Sequence, residues 1–255
     1  MAIDEALAEA VRDGLAPPTL RFYDWDPATL SLGYAQPAAD VDTDRLEAHG
    51  WTLVRRLTGG RAILHVDELT YSVTVPAADP RVAGGVVESY RRLSRGLMAG
   101  LARLGAAVES SPADGSAHGF KGPVCFEVPS DYEITVGGKK LIGSAQTRRG
   151  GGEVVLQHGA LPLHGDVARI CEALAFPDDA ARAEAQRRVR ERAATLEEAL
   201  GRVVSFAEAA QAMTDGFAEA LNVTLVPGEL SAAEQARADA LREEKYAAEA
   251  WTGKL

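Results

Sequence analysis

The sequence predicts an α+β (mixed α/β) fold, and three of its features carry that prediction. Segments with the period-2 apolar alternation of strands crowd the first two thirds of the chain, while helical apolar spacing and capping signals dominate after Pro162. Strict strand-helix-strand alternation is missing, which argues against a doubly wound parallel sheet. Between 131 and 163, strand-like segments are separated by a glycine pair and a glycine triplet, the pattern of an antiparallel meander.

Taken in order, Ile3, Leu7, Val11 and Leu15 recur at helical spacing, so the chain is expected to open in a helix ending near Gly14. "LRFYDW" and "ATLSLGY" read as strands on either side of a turn at Pro27, the second alternating Leu30, Leu32 and Tyr34 as a half-buried strand does. From Trp51, "WTLVRRL", a glycine turn, "RAILH" and "LTYSVTV" read as successive strands, with Leu69, Tyr71, Val73 and Val75 alternating in the last. A helix over 88–104 follows, with Leu93, Leu97, Leu101 and Leu104 on one face and Gly105 as its C-cap. "DYEITV" and "KKLIGSAQTR" then form a hairpin over Gly137-Gly138, and "EVVLQHGALPL" completes the meander. In the final part Val167, Cys171 and Leu174 share one helical face, and Phe206, Met213, Phe217 and Leu221 share another. Capping boxes are expected at Thr195 with Glu198, Ser205 with Glu208 and Ser231 with Glu234. With no internal repeat, low-complexity tract or clear linker, residues 1–255 are expected to form one domain.

Composition narrows the function. An apolar content of 46% with 25% charged residues is that of a packed globular chain, which excludes disorder. The net charge of -10 repels phosphate backbones and anionic lipid, so no nucleic-acid and no membrane partner is expected. The acidic, helix-patterned amino terminus lacks the basic and apolar regions of a signal peptide, and a cytoplasmic location is expected. The two cysteines are far apart and lack metal-ligand spacing, so neither a disulfide framework nor a metal site is predicted. Walker A, GxGxxG, HExxH and GxSxG patterns are absent from the sequence.

The residues leave several chemical roles open. Cys171 belongs to an apolar helical face and reads as a small buried hydrophobe. Cys125 sits between Pro123 and Pro129 with no periodic face to belong to and with Lys121 and Glu127 nearby, so packing and reaction both remain open for it. Lys139 and Lys140 follow the hairpin turn, and because successive strand residues face opposite ways, one of them is turned toward the interior if a sheet face is buried. His65 and His158 are either an acid-base pair or structural hydrogen-bonders. Arg55, Arg56 and Arg61, with Lys139, Lys140, Arg148 and Arg149, bracket the glycine-rich segments and form a candidate basic patch for an acidic protein.

Several spaced motifs run through the whole chain in order: "MAIDEAL" at the start, "LSLGYAQ" at 30–36, "RRLTGGRAILH" at 55–65, "GGKKLIGSAQTR" at 137–148, "VVLQHGALPL" at 154–163 and "EKYAAEAWT" near the end. Together they resemble the lipoate-protein ligase A and octanoyltransferase superfamily. The resemblance implies a biotin/lipoate protein ligase catalytic-domain fold, a mostly antiparallel mixed sheet flanked by helices with a helical C-terminal third, and an acyl-binding tunnel. Members of the family carry a strand ahead of the first helix, whereas this chain opens almost directly on "MAIDEAL". The family's carbonyl-binding lysine falls on Lys140, which leaves Lys139 facing solvent. Its Arg-Arg-x-x-Gly-Gly segment falls on Arg55, Arg56, Gly59 and Gly60, expected to line the head of the acyl pocket. Arg61, His65, Gly143, Ser144, Ala145, His158 and Gly159 complete the acyl-binding set that the resemblance implies.

ATP-dependent ligases of the family carry a third glycine where this chain has Arg61, and an accessory domain is not expected here. The similarity in "GGRA", and in a cysteine shortly before "PSDYE", points to the branch that takes octanoyl groups from acyl carrier protein, with Cys125 as nucleophile and Lys140 as its partner. That branch implies a lipoyl domain or glycine cleavage protein H as acceptor and no required cofactor. Three alternatives stay open. One is the catalytic subunit of an ATP-dependent lipoate ligase, which would need ATP and Mg and a separate accessory chain. The others are an amidotransferase that moves octanoyl from protein H, and a non-catalytic lipoyl-protein-binding module.

Overall fold

The computed structural model describes residues 1–111 and 133–254. Its main sheet has six antiparallel strands in the order β1-β5-β9-β8-β7-β6. They are β1 (Thr19–Tyr23), β5 (Glu68–Pro76), β6 (Glu109–Ser111), β7 (Glu133–Val136), β8 (Lys139–Arg149) and β9 (Val154–Pro162). The meander β7-β8-β9 forms as its glycines predict. Gly137 and Gly138 take φ of 55° and 77°, the left-handed pair that a two-residue hairpin needs to match strand twist.

Helices cover both faces. On one side α3 (Val86–Arg103) and α6 (Phe206–Leu221) cross where Gly96, Gly100 and Gly216 let the backbones touch; a Cβ on Gly216 would sit 2.2 Å from Gly100 N. Leu93, Leu97 and Leu101 of α3 and Met213 and Phe217 of α6 bury against Leu69, Tyr71, Val73 and Val75 of β5. On the other side α1 (Ala2–Arg12) and α7 (Ala232–Leu241) pack together, with Ala6, Ala238, Leu241 and Tyr246 around Leu156 of β9. Leu15 falls outside the predicted stripe. The first helix ends at Arg12, Gly14 turns to φ 70°, and Leu15 is left exposed.

A second sheet has three strands in the order β3-β2-β4: β2 (Thr29–Leu32), β3 (Thr52–Arg55) and β4 (Ile63–His65). The strands read on either side of the glycine turn after "WTLVRRL" do not pair with each other: β2 lies between them, parallel to β3 and antiparallel to β4. The parallel pair is reached by a crossover through α2 (Thr43–Ala48), as parallel strands require. Nor is β2 half-buried: Leu30 and Leu32 enter an apolar cluster with Leu64, Ile170, Cys171 and Leu174, while Thr29 and Ser31 are buried on the opposite face. The Val167–Ala173 segment that carries Cys171 is a 3-10 turn rather than an α-helix, and Cys171 packs there fully buried.

The remaining helices are α4 (Asp179–Arg192), α5 (Leu196–Leu200) and α8 (Glu249–Thr252). Thr195, Ser205 and Ser231 each accept the expected amide of Glu198, Glu208 and Glu234. The reciprocal bond is described only for Glu234, which returns to Ser231 N at 2.6 Å, whereas Glu208 turns to Arg202. No helix among the described residues is long and apolar enough to cross a membrane.

Candidate active site

The two sheets converge on a small cavity lined by residues of both. Arg56, Gly59, Gly60, Ile63 and His65 line it from the second sheet and its glycine loop, and Thr70, Gly143, Ser144, Ala145, His158, Gly159 and Ala160 line it from the main sheet. Small residues keep it open. A Cβ on Gly159 would lie 2.4 Å from Gly143 O and 2.5 Å from Ser144 Oγ, and one on Gly33 would lie 1.9 Å from Gly60 O. The glycine loop therefore depends on a close backbone approach that any side chain at Gly33 would block.

Strand alternation separates the paired arginines. Arg56 turns inward and donates from Nη1 to Ser31 O at 3.0 Å and Ser31 Oγ at 3.1 Å, and from Nη2 to Gly59 O at 2.9 Å and Arg61 O at 2.7 Å. It thereby braces the glycine loop. Arg55, the preceding residue, points the opposite way. It is fully buried and donates to the carbonyls of Gly33, Tyr34, Gln36, Trp251, Thr252 and Lys254. It is not among the described residues that line the cavity, so the expectation that it lines the pocket head is corrected. It instead ties the loop after β2 to the carboxy-terminal segment. Arg61 contributes its carbonyl to Arg56, and its side chain is likewise not among the described lining residues.

Each cavity histidine is held between a carboxylate and a hydroxyl. His65 Nδ1 lies 2.6 Å from Glu68 Oε1 and Nε2 lies 2.8 Å from Ser31 Oγ, with the Trp25 ring stacked on it at 4.3 Å. His158 Nε2 lies 2.6 Å from Thr58 Oγ1, and Nδ1 lies 3.4 Å from Asp4 Oδ2. Burial lowers the His158 pKa against the opposing pull of Asp4, which favours the neutral ring. For Asp4, burial works to raise the pKa, but Arg21, paired at 2.7 Å, and His158 outweigh it and hold the carboxyl well below its usual range. Tyr23 also donates to Asp4 Oδ2, at 3.0 Å.

Beneath the Ser144–Gly159 wall runs a line of hydrogen-bonded polar groups. Tyr71 donates to Ser144 Oγ at 2.8 Å and receives Gln157 Nε2 at 2.9 Å, and Gln157 Oε1 in turn accepts from Gln146. Burial raises the Tyr71 pKa, so the phenol stays protonated and available as a donor.

Nine of the predicted residues thus meet at one cavity: Arg56, Gly59, Gly60, His65, Gly143, Ser144, Ala145, His158 and Gly159. Lys140 is buried on β8, opposite Thr135 at a bulge in the β7-β8 pairing, whereas Lys139 is half exposed with Nζ donating to Arg190 O at 2.7 Å. Cys125, with Lys121 and Glu127, lies outside the described residues. Asp4, Glu68, Ser31 and Thr58 were not foreseen. For Asp4 a signal existed, since it shares a helical face with Ala8 and Val11, and a carboxylate on a buried stripe needs partners. Among the described residues no group of His, Cys, Asp and Glu is placed to hold a metal ion.

This arrangement is that of the lipoate-protein ligase fold. A bi-partite lipoate protein ligase from Thermoplasma acidophilum, solved in a study that includes its E2 lipoyl domain, superposes with a TM-score of 0.82 at 27% identity, over 100% of this chain and 91% of that one. Residues 1–218 match the lipoyl protein ligase A/B catalytic domain, and the chain belongs to that family. Octanoyltransferase LipM of Symbiobacterium thermophilum is 46% identical over 257 residues, covering 98% of this chain and 92% of the relative. Octanoyltransferase LipM of Moorella thermoacetica is 46% identical over 255 residues with the same coverage.

Proposed function

We propose that this chain is a cytoplasmic octanoyltransferase of protein lipoylation, working as one catalytic unit over residues 1–255 through a thioester on Cys125. The observation that carries the reading is the meeting of nine predicted acyl-site residues at one small-residue cavity, in a chain nearly half identical to named octanoyltransferases over almost its full length. The Cys125 thiolate attacks the carbonyl of an octanoyl thioester on acyl carrier protein, and the carrier thiol leaves. The ε-amine of a lysine on a lipoyl domain or glycine cleavage protein H then attacks the enzyme thioester, forming an amide and returning the thiol. The donor thioester already stores the energy of transfer, so the cycle uses no ATP and no metal.

Lys140, buried on the strand that supplies Gly143, Ser144 and Ala145, donates to the acyl carbonyl as it gains negative charge. Losing such a donor costs about 3 kcal/mol, on the order of 100-fold in rate. The apolar chain is selected by burial, at about 0.8 kcal/mol per methylene.

Intact mass spectrometry after incubation with octanoyl carrier protein, without ATP, tests the reading. A hydroxylamine-labile octanoyl adduct is expected on the wild-type protein and not on Cys125→Ser. An adduct that persists in Cys125→Ser, or acyl transfer that depends on ATP, overturns the mechanism.

A further inference from the structure

Glu68 lies at the start of β5 among four successive polar positions, Glu68, Thr70, Ser72 and Thr74, that are all buried. A strand with one apolar face ordinarily shows its polar face to water, so a buried polar face implies that its groups bond to something. Glu68 Oε1 takes His65 Nδ1 at 2.6 Å and the Thr70 hydroxyl at 2.5 Å, and Thr70 Oγ1 in turn takes Trp25 Nε1 at 2.8 Å. Trp25 returns to the same group by stacking on the His65 ring, with planes 15° apart. The imidazole is therefore fixed in plane by one contact and in rotation by another.

We propose that Glu68 is a positioning residue for acyl transfer, acting through His65 on the glycine loop. A carboxylate only accepts hydrogen bonds, so the ring nitrogen facing Glu68 carries the proton and Nε2 is left as an acceptor. Nε2 then takes the Ser31 hydroxyl proton, which turns the Ser31 oxygen lone pairs toward Arg56 Nη1 at 3.1 Å. Arg56 in turn holds the carbonyls of Gly59 and Arg61. With the opposite tautomer, Nε2 would donate to Ser31 Oγ, and the hydroxyl would lose this ring nitrogen as the acceptor that fixes its rotation. Glu68 thus sets the direction of the His65–Ser31 hydrogen bond, and through it the rotation of the hydroxyl that receives Arg56, although Glu68 is not among the described residues that line the cavity. The inference rests on the reading of this cavity as the acyl site.

The tautomer can be read without an activity assay. In protein labelled with ¹⁵N-histidine, the five histidines are resolved by nitrogen shift, and His65 is assigned from the His65→Gln variant. The wild type is expected to show His65 protonated at Nδ1 and bare at Nε2. Glu68→Leu is expected to move the proton to Nε2 and to lower kcat for octanoyl transfer by about 10- to 100-fold, the cost of leaving one buried polar group unpaired. Glu68→Gln keeps an acceptor oxygen and is expected to restore both the tautomer and most of the lost rate. A wild-type His65 protonated at Nε2, or a Glu68→Leu variant with an unmoved tautomer and wild-type kcat, overturns the proposal. A wild-type protein that shows the tautomer but transfers no octanoyl group sinks the acyl-site reading instead.

Discussion

Two carboxylate-histidine-hydroxyl arrays border the cavity, and they are built differently. Glu68–His65–Ser31 is short at both joints, 2.6 and 2.8 Å, while Asp4–His158–Thr58 is short only at the hydroxyl, 2.6 Å against 3.4 Å. The cause lies in what else each carboxylate holds. Asp4 is first the partner of Arg21 and also takes the Tyr23 hydroxyl, so His158 has a share of a carboxylate fixed by an ion pair. Glu68 gives one oxygen to His65 and to Thr70 beside it. The same three kinds of group, carboxylate, imidazole and hydroxyl, therefore serve chiefly to neutralise a buried charge in one array and to orient a ring in the other.

The largest test removes the carboxylates. Asp4→Leu leaves Arg21 without its ion-pair partner and is expected to cost about 3–5 kcal/mol in urea unfolding. Glu68→Leu is expected to cost about 1–3 kcal/mol, the penalty of an unmet hydrogen bond. Equal losses, or the reverse order, would break the distinction.

A smaller effect is expected from the hydroxyls. Ser31→Ala and Thr58→Val should each destabilise by about 1–2 kcal/mol. Ser31→Ala also takes a partner from Arg56, so it alone should raise KM for the octanoyl donor. A matching rise in Thr58→Val would show that both arrays support the loop alike.

The smallest effect is on pH dependence. Burial lowers the His158 pKa below its ordinary 6.5, so between that value and its lower folded value the unfolded chain binds a proton that the folded one does not. Stability from the neutral ring is thus present above about pH 6.5 and is lost as pH falls toward the folded value. Asp4, whose folded pKa is held well down, keeps its contribution to lower pH, losing it only as pH falls from about 4 through its folded value. His158→Gln should flatten the stability curve just below pH 6.5, read from urea midpoints. An unchanged slope would place the ring's protonation outside the folding equilibrium.

Much of the fold was legible because its signals are local. The meander needs neighbouring strands joined by glycine turns, and α3 and α6 show their buried stripes within a few turns. The second sheet was not, because β2 enters between β3 and β4 from earlier in the chain, and a glycine pair that only turns a chain looks the same as one that admits Gly33. The cavity residues followed from spaced motifs that resemble a family. Their supporting partners did not, because Glu68, Ser31 and Thr58 look like ordinary solvent-facing polar residues until a second buried layer covers them.

By itself the sequence determined most of the strands, the apolar stripes of the long helices, the helical C-terminal part, the family and the alternation that separates Arg55 from Arg56. Only the tertiary structure decided where those two arginines go, which carboxylate meets which histidine, and that both faces of β2 and β5 are buried. The reason is physical. Periodicity reports whether an element has an apolar face, but the fate of its polar face depends on groups brought from distant positions in the chain, and no local pattern records them.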